Sequence, residues 1–182
     1  ASNPADPRVA GRLQLAGRRI WALALAGELV WVANDDRLRA VDVSNPDAPV
    51  EVGSVRMANG ATDVAVDGPR AYVAGPDSRR DSGFDFLQAV NIVDPTRPLA
   101  LPAGGAVDGW NDGLAAAGGL VAQGGLALYD VRGDVPPTWV GAVPMDEDVV
   151  DKAMAGGVVL LALEDPATGT GAMRAVDVAD PR

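Results

Sequence analysis

The chain of 182 residues has a net charge of −10, with 25 acidic and 15 basic side chains, and 48% of its residues are hydrophobic. This composition is typical of a globular domain with a hydrophobic core, and the negative charge disfavours binding to nucleic acids and to anionic lipid surfaces. Cysteine and histidine are absent, which excludes disulfides, thiol nucleophiles, zinc sites with nitrogen or sulfur ligands, and Ser-His-Asp triads within this chain.

Short apolar stretches separated by turn-forming residues follow one another along the chain. In the first unit the predicted strands are Ile20 to Ala26, Leu29 to Asn34, Leu38 to Val43 and Val50 to Val55. Their Val, Ile and Trp residues favour β-strands, whereas the Gly, Asn and Asp residues between them favour tight turns. No apolar run approaches the roughly 20 residues of a membrane-spanning helix. We therefore predict an all-β chain without a membrane span.

The same plan recurs in three further units. The predicted strands of the second unit are Asp63 to Asp67, Arg70 to Ala74, Phe86 to Val93 and Leu99 to Leu101. Those of the third unit are Gly113 to Ala116, Leu120 to Gln123, Leu126 to Val131 and Trp139 to Val143. The fourth unit has three predicted strands, which are Val150 to Ala155, Val158 to Leu163 and Met173 to Val178.

A repeated sequence motif of seven residues, called here the repeated phrase, ends the third strand of each unit. The copies are Ala40 to Pro46, Ala89 to Pro95, Leu128 to Asp134 and Ala175 to Pro181, and a partial copy is Ser2 to Pro7. From the third residue of each full copy (42, 91, 130 and 177), the steps are 49, 39 and 47 residues. A unit of roughly 40 to 50 residues built from short strands is typical of a β-propeller or a solenoid.

The fourth unit lacks an outer strand, and the beginning of the chain offers one. Arg8 to Leu15 follows the partial phrase just as Val50 to Val55 follows the first full copy. We therefore predict one domain over residues 1–182, a propeller of four blades with four antiparallel strands each, closed by the N-terminal strand. Closure removes unpaired strand edges, and a closed ring is expected to be a monomer. A slice of a larger propeller would show the same pattern of three strands in the last unit and one strand at the beginning of the chain. Such a slice is therefore kept as an alternative.

The first two units resemble the LVIVD repeat. The resemblance rests on the strand Gly68 to Ala74 (GPRAYVA), and on Ala40 to Ser54, which joins AVDVSNP to the outer strand PVEVG. The third unit departs from this pattern, because Arg132 to Pro137 replaces the Ser-Asp-Pro turn. The resemblance implies a β-propeller of a bacterial or archaeal exported or surface protein, with an extracytoplasmic location (secreted, periplasmic or cell surface). It implies no reaction, because the family has no general catalytic motif.

Three aspartates are candidate metal ligands. Asp63, Asp112 and Asp151 stand five or six residues before the glycine that divides the first two strands of their units, where the first unit has Ala22. Inner strands line the channel of a propeller, so these carboxylates could hold Ca²⁺ through oxygen ligands. We favour the simpler interpretation that each aspartate caps a turn, and we expect no cofactor, with Ca²⁺ as the alternative.

Loops leading into the inner strands, and one insertion, are candidate binding surfaces. They contribute Arg19, Asp108, Trp110, Asn111 and Asp148, and the insertion Pro76 to Asp85 contributes Arg79, Arg80 and Phe84. We expect a protein or small-molecule ligand at the channel mouth, because long loops on repeats mark binding faces. The alternatives are that Trp110 is wedged between blades, that the acidic run around Asp148 is solvated surface, and that the insertion is merely tolerated.

Three functions fit these features. The first is a non-catalytic propeller of an exported or cell-surface protein that serves as a binding scaffold, and we favour it over an enzyme. The second is a Ca²⁺-dependent propeller hydrolase or lactonase that uses the aspartates, one of them as a base with a pKa raised by neighbouring like charges. The third is a structural slice of a longer exported protein, with an exposed apolar edge.

Overall fold

The computed structural model describes residues 5–76, 85–102, 104, 106–107, 113–133 and 136–179. Their regular structure consists of β-strands in four antiparallel sheets, and no described segment is an apolar helix of membrane-spanning length. The first sheet has the order β1-β2-β3-β4 and consists of β1 (Ile20–Ala26), β2 (Leu29–Asn34), β3 (Arg37–Asp42) and β4 (Val50–Arg56). The second sheet consists of β5 (Asp63–Asp67), β6 (Arg70–Pro76), β7 (Asp85–Asn91) and β8 (Leu99–Ala100), with β9 (Ala106–Val107) also paired to β7.

The remaining two sheets continue the same plan. The third consists of β10 (Leu114–Ala117), β11 (Leu120–Gln123), β12 (Ala127–Asp130) and β13 (Thr138–Ala142). The fourth consists of β14 (Asp148–Ala155), β15 (Val158–Glu164) and β16 (Gly171–Asp177). Four consecutive antiparallel sheets, with each predicted strand of the four units within a few residues of its observed position, confirm an all-β, propeller-like fold.

Turn chemistry fixes the strand ends. The first two strands of every sheet are joined by a two-residue loop that begins with a glycine in the left-handed region, as at Gly27 with φ 62°. Each third strand ends at a side chain that accepts a hydrogen bond from the backbone N–H two residues later. These pairs are Asp42 with Ser44 at 2.8 Å, Asn91 with Val93 at 3.1 Å, Asp130 with Arg132 at 2.9 Å and Asp177 with Ala179 at 3.0 Å. The repeated phrase therefore encodes a turn that ends a strand.

Three hydrophobic clusters hold neighbouring sheets together. One lies between the first and second sheets and includes Trp31 and Val73. The next lies between the second and third sheets around Tyr72, and the last joins the third and fourth sheets around Leu128 and Leu161. Within the described residues, none of these clusters contains side chains from both the first and the fourth sheet. The described sheets therefore follow one another in chain order, and the structure shows no closure of these sheets into a ring.

The predicted closing strand is not formed. Residues 7–15 contain no strand, and the fourth sheet has three strands in the part of the chain that is described. The residues between this segment and β1 are held on the first sheet. Arg39 donates a hydrogen bond of 2.8 Å to the carbonyl oxygen of Ala16, and the side-chain amide of Asn34 donates one of 2.8 Å to that of Arg19. The structure therefore does not show the predicted pairing of Arg8 to Leu15 with the fourth sheet of its own chain.

Candidate functional site at the beginnings of the inner strands

The first strands of the four sheets lie side by side. β1 packs beside β5, β5 beside β10, and β10 beside β14. A Cβ atom at Gly113 would lie 3.7 Å from an Asp151 carboxylate oxygen, 3.7 Å from Lys152 Nζ and 3.9 Å from an Asp63 carboxylate oxygen. We call Asp63, Gly113, Asp151 and Lys152 the inner-strand cluster.

Lys152 supplies the positive charge of the inner-strand cluster. The residue is 7% exposed, and its ammonium donates a hydrogen bond of 2.9 Å to the carbonyl oxygen of Gly113. The sequence analysis did not select Lys152, although it is the only lysine among fifteen basic residues and directly follows a candidate aspartate. A buried ammonium beside two carboxylates occupies the electrostatic role that a bound cation would have.

Asp63 is the partly buried carboxyl group of the cluster. Burial raises its pKa, and the nearby negative charge of Asp151 acts in the same direction. Hydrogen bonds from the backbone N–H groups of Val64 (2.7 Å) and Leu114, and the charge of Lys152, oppose this increase. The carboxylate therefore has backbone and electrostatic partners at the beginning of β5, as expected for a residue that also caps a strand.

Asp151 has a similar backbone role. Its carboxylate accepts a hydrogen bond of 2.8 Å from the backbone N–H of Lys152, which parallels the bond from Val64 to Asp63. These matching bonds favour the interpretation that both aspartates support the backbone where an inner strand begins.

Strand register changes the expected symmetry of the three aspartates. Asp63 pairs with Ala74 and Asp151 with Ala162, each four residues before the last residue of its hairpin strand. In the third sheet Ala117 is that last residue, so the equivalent position is Gly113 rather than Asp112, and in the first sheet it is Ala22. Asp112 itself lies outside the described residues. The register thus gives two carboxylates, a glycine and an alanine at this level.

The described residues contain no group of three acidic side chains close enough to hold a metal ion. Asp63 and Asp151 do approach the same point, but Lys152 approaches it as well. Whether Ca²⁺ binds with help from Asp112 stays a prediction.

Arg19 and Trp21 form an exposed pair at the beginning of β1. The Arg19 guanidinium carbon lies 4.0 Å from the ring centroid of Trp21, which is the geometry of a cation–π contact. Trp21 is about half exposed and lies at a register irregularity between Ile20 and Ala22, one residue before the position equivalent to Asp63. Sequence analysis selected Arg19 but not Trp21.

The other predicted binding residues divide into two groups. Asp148 begins β14 and is exposed, next to the inner-strand cluster. The remaining candidates all lie outside the described residues, and they are Arg79, Arg80, Phe84, Asp108, Trp110 and Asn111.

Comparisons with known proteins agree with this architecture. Residues 17–57 match the model of the LVIVD repeat, which confirms the resemblance over the first unit. No curated protein matches the chain. The structure is similar to the computationally designed Ika4 protein, with a TM-score of 0.66 at 12% identity, covering 96% of this chain and 99% of that one. The N-terminal domain of Nup159 aligns at a TM-score of 0.48 and 8% identity, over 87% of this chain and 45% of that one.

Proposed function

We propose that this protein is a non-catalytic β-propeller module of an exported or cell-surface protein, and that it binds a protein or small-molecule partner where the inner strands begin. The observation that carries the binding role is the exposed stack of Arg19 on Trp21. Such a stack offers a flat apolar face and a fixed positive charge, and side chains of this type are common anchors at binding surfaces.

The inner-strand cluster supports a role without catalysis. A general base needs an available carboxylate, but Asp63 already accepts hydrogen bonds from backbone N–H groups, and Lys152 adds a compensating charge. The ammonium is itself bound to the carbonyl oxygen of Gly113. These groups satisfy one another, which suits a structural centre beneath a binding surface better than a hydrolytic site.

The exported location rests on the LVIVD resemblance. Cell fractionation, followed by protease treatment of intact cells that express the natural full-length protein, tests this part of the proposal. We expect the protein outside the cytoplasm, and recovery in the cytoplasm alone would contradict export.

The binding role is tested by photo-crosslinking in the native cell. A photoreactive phenylalanine analogue replaces Trp21 in one variant and Trp139 in a control variant. Trp139 is also an exposed tryptophan, 61% against 47% for Trp21, but it lies on the outer strand β13. We expect a discrete crosslinked product from position 21 that is lost in an Arg19→Ala background. Equal products from both positions would contradict binding at the inner strands.

A further inference from the structure

The fourth sheet has an uncovered apolar face. Leu160 on β15 is 42% exposed, whereas the side chains in the equivalent register positions of the first three sheets are buried against the next sheet. These are Trp31 at 0%, Tyr72 at 2% and Ala122 at 0%. Ala153, Ala162 and Met173 share the face of Leu160 according to the strand pairing, and Met173 is strongly exposed. This surface is the outer face of the fourth sheet, and it lacks the next sheet of the series.

The first sheet has the complementary gap. Leu23 on β1 is 62% exposed, while the equivalent residues Val64 and Lys152 are 5% and 7% exposed because each packs against a preceding sheet. Leu25, on the same side of β1, is exposed as well. This surface is the outer face of the first sheet. The two outer faces are thus the two halves of a contact that the molecule already makes three times between its own sheets.

The chain before β1 lies where the outer strand of a preceding sheet would lie. Gly11 follows Pro7 by four residues, as Gly53 follows Pro49 on β4. A Cβ atom at Gly11 would collide with the backbone of Pro46 and Asp47, and one at Gly53 would collide with the equivalent backbone of Pro95 and Thr96. The segment from Arg8 to Leu15 is therefore seated like an outer strand, and no described strand of this chain pairs with it.

That segment also has the pattern of a strand. Gly11, Leu13 and Leu15 are partly buried, and the residues between them are exposed. On the first sheet, Val55 of β4 pairs with Leu38 of β3. If residues 8–15 paired with β16 in the same register, a contact that we call the joint, Leu13 would lie opposite Met173. Within the described residues β16 has a partner strand on one side only. The segment and β16 thus offer two unpaired edges that fit together.

The two ends carry opposite charge. Residues 1–19 contain four arginines and one aspartate, a net charge of +3, while residues 145–182 contain eight acidic and three basic side chains, a net charge of −5. Arg18 and Arg19 lead into β1, and Asp151 and Glu164 lie on the strands of the fourth sheet. Attraction between the ends favours contact of a first sheet with a fourth sheet over contact between two like ends.

We propose that two copies of this chain associate head to tail, so that the fourth sheet of each copy packs on the first sheet of the other and β16 pairs with residues 8–15. In this chain both outer faces are exposed although the three contacts between its sheets are closely packed. A second copy covers both faces while the three packed contacts stay as they are. Two such joints related by a two-fold axis form a closed ring.

A cysteine pair tests the joint directly, because the natural chain contains no cysteine. The variant carries Leu13→Cys and Met173→Cys, which the register places opposite each other. Oxidation is expected to give a disulfide-linked dimer on a non-reducing gel, since paired strands bring Cβ atoms within bonding range. The control carries Leu13→Cys and Ala172→Cys, which moves one thiol to the opposite face of β16, and it is expected to remain uncrosslinked.

Any other outcome of the oxidation experiment overturns the proposal. A disulfide within a monomer would show that the chain closes on itself, and free thiols in the oxidised variant would show that the joint does not form.

A measurement of mass in solution gives an independent test. We expect twice the 18.6 kDa of one chain by light scattering for the natural sequence, and a single-chain mass for Leu23→Asp and for Leu160→Asp. Both leucines are exposed in the single chain, so these variants keep their internal packing. Val93→Asp is the matched control, because Val93 is 71% exposed but belongs to neither outer face, and this variant is expected to stay dimeric. A natural-sequence monomer or a larger assembly would overturn the two-copy ring, whether or not the Arg19–Trp21 surface binds a partner.

Discussion

The ammonium of Lys152 donates a hydrogen bond of 2.9 Å to the carbonyl oxygen of Gly113, which links β14 to the residue just before β10. This bond joins the third and fourth sheets beside the carboxylates of Asp63 and Asp151. Because the lysine is almost fully buried, its charge is stabilised mainly by these partners rather than by water. The bond therefore couples the packing of the third and fourth sheets to the charge balance of the inner-strand cluster.

Replacing Lys152 with methionine is expected to destabilise the fold by about 2 kcal/mol or more, since the buried carboxyl of Asp63 loses a compensating charge and the Gly113 carbonyl loses its donor. Urea denaturation of the natural chain and the variant measures the difference. Arg174→Met on β16 is the control, because Arg174 pairs with Glu147 at the surface, where an ion pair contributes about 1 kcal/mol or less. Equal effects of the two substitutions would contradict a structural role for Lys152.

Asp63→Asn is expected to change how stability depends on pH. Burial raises the pKa of Asp63 in the folded chain, so the folded state takes up a proton more readily than the unfolded state. The contribution of Asp63 to stability is therefore fully present at low pH and decreases as pH rises through the raised pKa. Asparagine keeps an oxygen for the N–H of Val64 and does not titrate, so its stability relative to the natural chain should be highest near neutral pH and should fall toward pH 4.

Melting curves of both chains between pH 4 and pH 7 check this expectation. If the free energy of unfolding of the variant relative to the natural chain stays constant across this range, or rises toward pH 4, the raised pKa of Asp63 is contradicted.

Asp42→Asn tests the opposite pH dependence. Hydrogen bonds from the side chain and the backbone N–H of Ser44 lower the pKa of Asp42, so its contribution to stability is present above its ordinary pKa and is lost as pH falls through the lowered value. The second sheet already uses Asn91 for the same turn, so asparagine fits the geometry. We expect the variant to match the natural chain at pH 7 and to lose less stability in acid, as measured by urea denaturation at each pH. A variant that is already weaker at pH 7 would show that the turn needs the charge.

Calcium binding is expected to be absent, because Lys152 already provides a positive charge beside Asp63 and Asp151. Thermal unfolding is measured with excess Ca²⁺ and again with EDTA. A ligand at 100 times its dissociation constant would stabilise the fold by about 2.7 kcal/mol, which would raise the midpoint by several degrees. We expect the two curves to coincide, and a clear rise in Ca²⁺ would restore the metal site predicted from Asp63, Asp112 and Asp151.

Local sequence was sufficient to predict most strands and turns. β1, β2, β5 and β11 were predicted at their observed bounds, and most other strands differ by one or two residues at one or both ends. These elements are determined by β-branched runs and by glycine or Asx residues at fixed positions, which act on the neighbouring backbone and need no distant partner. The same local rule explains why the repeated phrase ends a strand at Asp42 and its three counterparts.

The sequence also brought Asp63 and Asp151 into one candidate site, since both occupy the same position in their units. It misplaced the third equivalent position at Asp112, which stands six residues before Gly118, whereas Asp63 and Asp151 stand five residues before Gly68 and Gly156. Strand pairing identifies the equivalent position, since residues opposite each other in a sheet share one face.

Sequence alone therefore determined the repeat, the sheets and the turns of this protein, because those features depend on residues close together in the chain. Tertiary structure decided the role of Lys152, the stack of Arg19 on Trp21, and the uncovered faces at Leu23 and Leu160. The described residues do not show the predicted pairing of residues 8–15 with the fourth sheet, because contact between distant segments depends on how the sheets pack. Burial and charge compensation between distant residues arise only when sheets pack, and strand patterns do not contain that information.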